Sequence, residues 1–137
     1  MKKNGFTLLE LLVVIGIIGI LVALASVSYA ATQVSARDSR RKQDLVAMQS
    51  ALEQYYSANG YVYPTTCSDA KSYLKSNWPD DPINATVNGI SYTYVYSPAC
   101  SATSYCICAV MEKSGSGNSG AACSFTAKTH YCVGNLQ

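Results

Sequence analysis

Residues 11–25 read LLVVIGIIGILVALA, an uncharged run that continues, diluted only by Ser26, Ser28 and Tyr29, to Ala31. As a helix, residues 11–31 rise about 30 Å, enough for one bilayer crossing. A segment this apolar on every face belongs in lipid or among other helices. Lys2 and Lys3 precede it, so the positive-inside bias keeps the N-terminus in the cytoplasm and sends the rest of the chain outward. One carboxylate, Glu10, stands at the head of the run between leucines. A charged, unpaired carboxylate is costly in lipid. The sequence therefore predicts a partner for it.

Two ordinary readings of such a run compete. A secretory signal peptide finds a passable small-x-small cleavage site at Ser28-Tyr29-Ala30. Against it stand the very short basic region, Glu10 inside the apolar region, and a second helical pattern that follows without a turn signal. A plain transmembrane anchor leaves Glu10 unexplained.

Gly5-Phe6-Thr7-Leu8-Leu9-Glu10 resembles the processing site of type IV pilins and of the related pseudopilins of type II secretion. The shared pattern is a short basic leader, a Gly, a Phe, and then a Glu as the fifth mature residue before the apolar run. The resemblance implies that a prepilin peptidase cuts between Gly5 and Phe6 and methylates the new amine of Phe6. It also implies that Glu10 of one subunit pairs with the Phe6 amine of a neighbour. A free α-amine is mostly cationic at neutral pH. In an apolar bundle such a pair favours one axial offset between subunits and so acts as a register device. A second stretch, from Ala51 to Pro64, resembles the helix-to-loop segment of small pilins and major pseudopilins.

The resemblance implies an α+β type IV pilin fold. Its expected parts are a leader over 1–5, a transmembrane or filament-core helix over 6–31, an amphipathic helix over 32–58 and a disulfide-stapled β domain over 59–137. The implied partners are further copies of the chain in a helical filament, the prepilin peptidase, an inner-membrane platform protein, an assembly ATPase and minor pilins. The precursor is then expected in the cytoplasmic membrane, and the processed subunit in an extracellular pilus on the cell surface.

Beyond Ala31 the pattern becomes one-sided. Leu45, Met48, Leu52 and Tyr55 are spaced three, four and three, which puts them on one helix face. Asp38 with Lys42 and Arg40 with Asp44 form i,i+4 pairs expected on exposed faces. No Pro occurs before Pro64, and Asn59-Gly60 supplies the stop, so the spacing predicts one helix from about Phe6 to Ala58. Many members of the resembling family carry a Pro in the second half of the apolar run; Val22 to Tyr29 holds none. Gly16 and Gly19 each weaken the helix by about 1 kcal/mol relative to Ala and mark the place for close helix approach or local unwinding. Arg37, Arg40, Arg41 and Lys42 form a basic cluster. Because Asp38 and Asp44 interleave with it, the reading is a solvated or intersubunit face rather than a nucleic-acid or lipid-headgroup site.

All six cysteines, Cys67, Cys100, Cys106, Cys108, Cys123 and Cys132, lie beyond Asn59. An even count after a segment that sends the chain outside argues for disulfides, and three bridges permit fifteen pairings that sequence does not choose among. The working assignment is Cys106 with Cys132, Cys108 with Cys123 and Cys67 with Cys100. Zinc is the rival. Cys106-Ile107-Cys108 has one intervening residue, short of the usual zinc-ligand spacing, and His130 is the lone histidine, so no metal is expected there. Asp80 and Asp81 are candidates for holding Ca2+, but two carboxylates beside Pro82 read better as a turn.

Alternation predicts strands over Ile90–Ser97, Tyr105–Met111 and His130–Val133, a small antiparallel sheet on the amphipathic half of the helix, and a short helix at Lys71–Asn77. Gly115, Gly117 and Gly120 match GxGxxG. The pattern opens no helix in a βαβ unit and is read as a surface loop. Asn84-Ala85-Thr86 fits an N-glycosylation triplet and stays unassigned.

Ten basic and eight acidic side chains become eight of each once Lys2 and Lys3 leave with the leader. A near-neutral subunit argues against electrostatic capture of nucleic acid. One histidine, paired cysteines and no clustered carboxylates leave no acid–base constellation, so no enzyme is expected. The disulfide-dense domain, the Ser/Gly-rich loop and the absence of a clear calcium cluster favour a major pilin serving adhesion, motility or DNA uptake. A major pseudopilin of a secretion or competence system is the alternative, and a membrane-anchored binding module a third.

Overall fold

The computed structural model describes residues 5–124 and 127–137, without the side chains of Val27 and Ser28. One long helix, α1, spans Leu8–Ala58 and runs through Gly16 and Gly19 as α-helix. It closes where the sequence places its stop. Gly60 takes a left-handed φ of 70°, and the Tyr61 N–H turns back to the Tyr56 carbonyl at 2.9 Å. The helix is shared between two compact units, one ending at Val34 and the other comprising Ser35–Gln137.

In the first unit the helix is exposed on every side, with Leu12, Ile15, Ile18 and Leu21 all open. It is long and apolar enough to cross a membrane, with a mean hydropathy of 2.9 in its best window.

Among its described residues, the second unit carries five short strands. β1 (Ala85–Val87) and β2 (Ile90–Tyr92) form a two-stranded hairpin. β3 (Val95–Tyr96), β4 (Cys106–Val110) and β5 (His130–Gly134) form an antiparallel sheet with β4 in the centre. The two-residue period of β4 assigns its faces. Ile107 and Ala109 pack with Leu45, Met48, Ala51 and Leu52 of α1, together with Met111, Val133, Tyr63 and Tyr105. Cys106 and Cys108 point the other way and pack with Cys132. Gln49 adds a bond from α1 to the Gly134 carbonyl at 2.7 Å.

Three disulfides join Cys67 to Cys100, Cys106 to Cys123 and Cys108 to Cys132. The first is the expected pair; the other two correct the working assignment. Ladder register is the reason. Cys108 stands directly opposite Cys132, with 4.1 Å between Cα atoms, whereas Cys106 stands opposite Gly134 and has no sulfur across the ladder. Its partner comes from the short 3-10 turn Ala121–Cys123.

Two other expectations change, and one strand is added. The stretch read as one strand over Ile90–Ser97 bends at Thr93 and divides between the two sheets. The bend follows from what the tyrosines reach on α1. The Arg41 guanidinium lies 5.1 Å from the Tyr92 ring centre, and the Tyr94 hydroxyl donates to Asp44 at 2.7 Å. The short helix falls at Cys67–Tyr73, as a 3-10 helix, rather than Lys71–Asn77. Finally, β1 is a strand the alternation did not announce, although Asn88-Gly89 is a strong hairpin signal. Both residues take positive φ, as a type I′ turn requires.

Candidate assembly and processing site

Gly5 and Phe6 lie in non-helical backbone ahead of α1, and the Phe6 side chain is 88% exposed. The peptide between them lies outside regular secondary structure. Met1 to Asn4 of the expected leader lie outside the described residues.

The local sequence sets the helix start. Thr7 precedes the first helical residue, and Glu10 follows three positions later. The Thr7 hydroxyl accepts from the Glu10 N–H at 3.2 Å, and the Thr7 N–H donates to Glu10 Oε2 at 2.9 Å. The Thr7 hydroxyl also donates to the same oxygen at 2.9 Å. This is a capping box, in which each residue satisfies the other's backbone donor. The partner that Glu10 needs within a single chain is therefore Thr7, which the sequence reading overlooked; the signal was the Thr-x-x-Glu spacing itself. Among the described residues only Oε2 of Glu10 is engaged, and Oε1 makes no hydrogen bond. The Phe6 nitrogen is one residue from the cap. Among the described residues, none brings a cation to Glu10.

Beyond the cap the helix presents large apolar side chains in all directions. At about 25 cal/mol per Å2 of apolar surface removed from water, such a surface strongly favours lipid or other helices over solvent.

The second unit holds a different constellation. Arg41 is fully buried, not on the solvated or intersubunit face that the basic cluster with Arg37 predicts. Its Nε and Nη2 donate to the two carboxylate oxygens of Asp81 at 2.7 and 3.1 Å. Its Nη1 donates to Asp38 at 2.8 Å and to Glu112 at 2.6 Å. Arg37 grips the same Glu112 through two bonds of 2.8 and 2.6 Å. Asp38 is buried and bonded to Arg41, not to Lys42, and also accepts the N–H groups of Glu112 and Lys113. The Lys42 ammonium instead lies 5.4 Å from the Tyr131 ring centre. Arg40 and Asp44 keep the expected pairing, at 3.9 Å.

Burial works against the Arg41 charge, but bonds to Asp81, Glu112 and Asp38 outweigh it and raise its pKa further. The Arg37 hydrogen bond holds the Glu112 carboxyl below the usual range despite partial burial. Asp81 also accepts the Ile83 N–H at 2.8 Å, so the carboxylate considered for Ca2+ is engaged by Arg41 and the turn. Asp80 beside it is exposed. A second carboxylate, Glu53, receives the hydroxyls of Tyr63 and Tyr105 and the Leu136 N–H. Burial first, and then Glu53, push both phenols up. Both constellations anchor loops and the C-terminal segment to the second half of α1.

The four sulfurs of Cys106, Cys108, Cys123 and Cys132 converge within 4.8 Å, as two adjacent disulfides.

Residues 1–26 match the family described as the prokaryotic N-terminal methylation motif. The chain is 37% identical over 75 residues to the type II secretion system core protein G of Escherichia coli strain K12, covering 55% of this chain and 51% of that protein. It is 33% identical over 88 residues to the core protein G of Vibrio cholerae, covering 64% and 60%. It is 38% identical over 56 residues to the type IV major pilin protein PilA of Myxococcus xanthus, covering 41% and 26%. The chain thus spans about half the length of the curated core protein G relatives, and less of the pilin. No solved structure matches.

Proposed function

We propose that this chain, which carries a class III prepilin signal and is homologous to type II secretion core protein G and to a type IV pilin, is a structural subunit of a filament and has no catalytic role. The observation that carries the reading is a capped helix, apolar on every face, that begins just after an exposed Gly5–Phe6 bond. In this reading the prepilin peptidase cuts there and methylates Phe6. The helix waits in the cytoplasmic membrane, and subunits then pack their helices together with the second unit outside. A platform protein, an assembly ATPase and minor subunits serve this step.

Within that class we favour a major pilin of an extracellular type IV pilus. Three disulfides in the second unit suit prolonged exposure outside the cell. The engagement of Asp81 by Arg41 leaves no clustered free carboxylates in the 80–82 turn. The pseudopilin reading is favoured by the names of the relatives, most of which are core protein G. A pilin predicts long surface filaments containing this chain; a pseudopilin predicts their absence and a loss of secretion on deletion. Electron microscopy and a secretion assay on the deletion strain separate the two. Mass spectrometry of the mature chain is expected to find N-methylated Phe6 at its start. A mature chain starting near Ala31 would overturn both readings in favour of a signal peptide.

A further inference from the structure

We propose that the cleft beside the Cys67–Cys100 bridge is a binding site for neutral carbohydrate. The inference stands on the second unit alone and goes beyond the filament reading.

The cleft holds about 420 Å3, within the range of small-molecule sites. Trp78 and Tyr96 line it, joined by a bond of 2.9 Å from the indole N–H to the Tyr96 oxygen. Both rings are half-buried, so part of each remains open to a ligand. Since Tyr96 accepts from Trp78, its own hydroxyl proton is left to donate. Burial pushes that phenol up, so it stays a donor at neutral pH.

Thr65, Thr66 and Ser68 add hydroxyls around the cleft. Thr66 occupies the cap position of the 3-10 helix, yet its side chain makes no capping bond. The hydroxyl that would ordinarily serve the backbone is therefore available. Among the described residues, no Asp, Glu, Lys, Arg or His lines the cleft.

The ligand class follows from this inventory. An anionic ligand would lose water without meeting an opposite charge, and would face the Asp80 charge that acts on Tyr96. A purely apolar ligand would cover the hydroxyls and leave them unpaired. A pyranose satisfies both demands, because its C–H face packs on aromatic rings while its equatorial hydroxyls bond around the edge.

Trp78 is the single tryptophan, so its emission reports on this cleft. The mature full-length chain, held in phosphocholine micelles that carry no sugar head groups, is titrated with a panel of neutral hexoses, N-acetylhexosamines and disaccharides. The expected result is a saturable change in Trp78 emission with at least one neutral sugar, and none with the corresponding uronate. Tyr96→Ala is expected to weaken the response about tenfold, or about 1.4 kcal/mol. Thr66→Ala is expected to weaken it severalfold. Thr66→Ala removes a hydroxyl the fold does not use, so it decides the matter if Tyr96→Ala unfolds the domain. The proposal is overturned by a flat response across the panel, or by a response that Thr66→Ala leaves unchanged. Because the titration needs no polymer, its failure leaves the filament reading intact, and a failure to polymerise leaves the titration intact.

Discussion

Replacing Arg41 with Met tests the energetics of the second unit most directly. Met keeps an unbranched apolar stem in a fully buried position but removes four hydrogen bonds, all to carboxylates. The three acids do not suffer equally. Asp38 retains the N–H groups of Glu112 and Lys113 at 3.0 and 2.9 Å. Glu112 retains Arg37. Asp81, whose side chain is wholly buried, retains only the Ile83 N–H. The variant therefore leaves one nearly uncompensated buried charge. Removing one partner of a buried ion pair typically costs about 3–5 kcal/mol, and that is the expected loss. Adding Asp81→Asn should recover roughly 2 kcal/mol by removing the stranded charge. Urea unfolding in micelles, followed through Trp78, reads both effects. A loss under about 1 kcal/mol, the range of exposed ion pairs, would refute the reasoning. So would a double variant no more stable than the single one.

Other outcomes follow from the same geometry. Non-reducing peptide mapping should join Cys106 to Cys123 and Cys108 to Cys132; a fragment linking Cys106 to Cys132 would refute the observed register. The Cys67–Cys100 bridge closes the longest loop, with a separation of 33, so Cys67→Ser with Cys100→Ser should cost about 4 kcal/mol by loop-closure entropy. Stability from Glu112, whose pKa is lowered, is present above the ordinary carboxylate value of 4.5 and is lost as pH falls through its folded value, so Glu112→Gln should flatten the acid limb of thermal melts. Tyr63, Tyr94 and Tyr105 are raised from 10.0, so their contribution is intact below that value and declines as pH climbs past it; alkaline melts of Tyr105→Phe should fall less steeply. Gly117→Ala would put a methyl group onto the His130 carbonyl, an overpacking expected to cost about 1–3 kcal/mol by thermal unfolding.

The parts of this fold legible in the sequence were those set by local periodicity. The three-four-three spacing located the helix face that forms the core, and the Asn59-Gly60 stop located its end. Alternation found β4 and β5 to within a residue or two. What the sequence withheld depends on which segments meet. Arg41 reads as one more charge in a basic cluster, because its three acids come from its own helix, from the turn at Asp81 and from the segment after β4. Cys106 and Cys108 carry no mark of which faces Cys132, since that depends on a one-residue choice of ladder register. The Ile90–Ser97 alternation was real, but the tyrosines obeyed α1 rather than a single sheet. The hairpin was overlooked although Asn88-Gly89 announced it, because β1 is only three residues long and exposed throughout.

The N-terminal acid is where sequence and structure pull hardest against each other. The resemblance to pilins implies a cation from a neighbour for Glu10; the structure gives it Thr7 in the same chain. A capping box satisfies backbone donors, but it does not neutralise the carboxylate, which still carries its full charge into an apolar bundle. Only Oε2 is spent on the cap, so both partners can act at once, with Oε1 open to an ammonium. The two roles separate by mutation. Thr7→Val keeps the size of the side chain and removes the hydroxyl, costing about 1 kcal/mol at the helix start. Glu10→Gln keeps a capping acceptor and removes the charge. If pairing between subunits drives assembly, Thr7→Val still polymerises while Glu10→Gln and Glu10→Ala are processed at Gly5–Phe6 yet yield few filaments. If capping is the whole role, Glu10→Gln assembles normally and Thr7→Val fails. Filament yield by sedimentation, alongside N-terminal mass spectrometry to verify processing, distinguishes them. A normal yield from Glu10→Gln would remove the ammonium partner from the account.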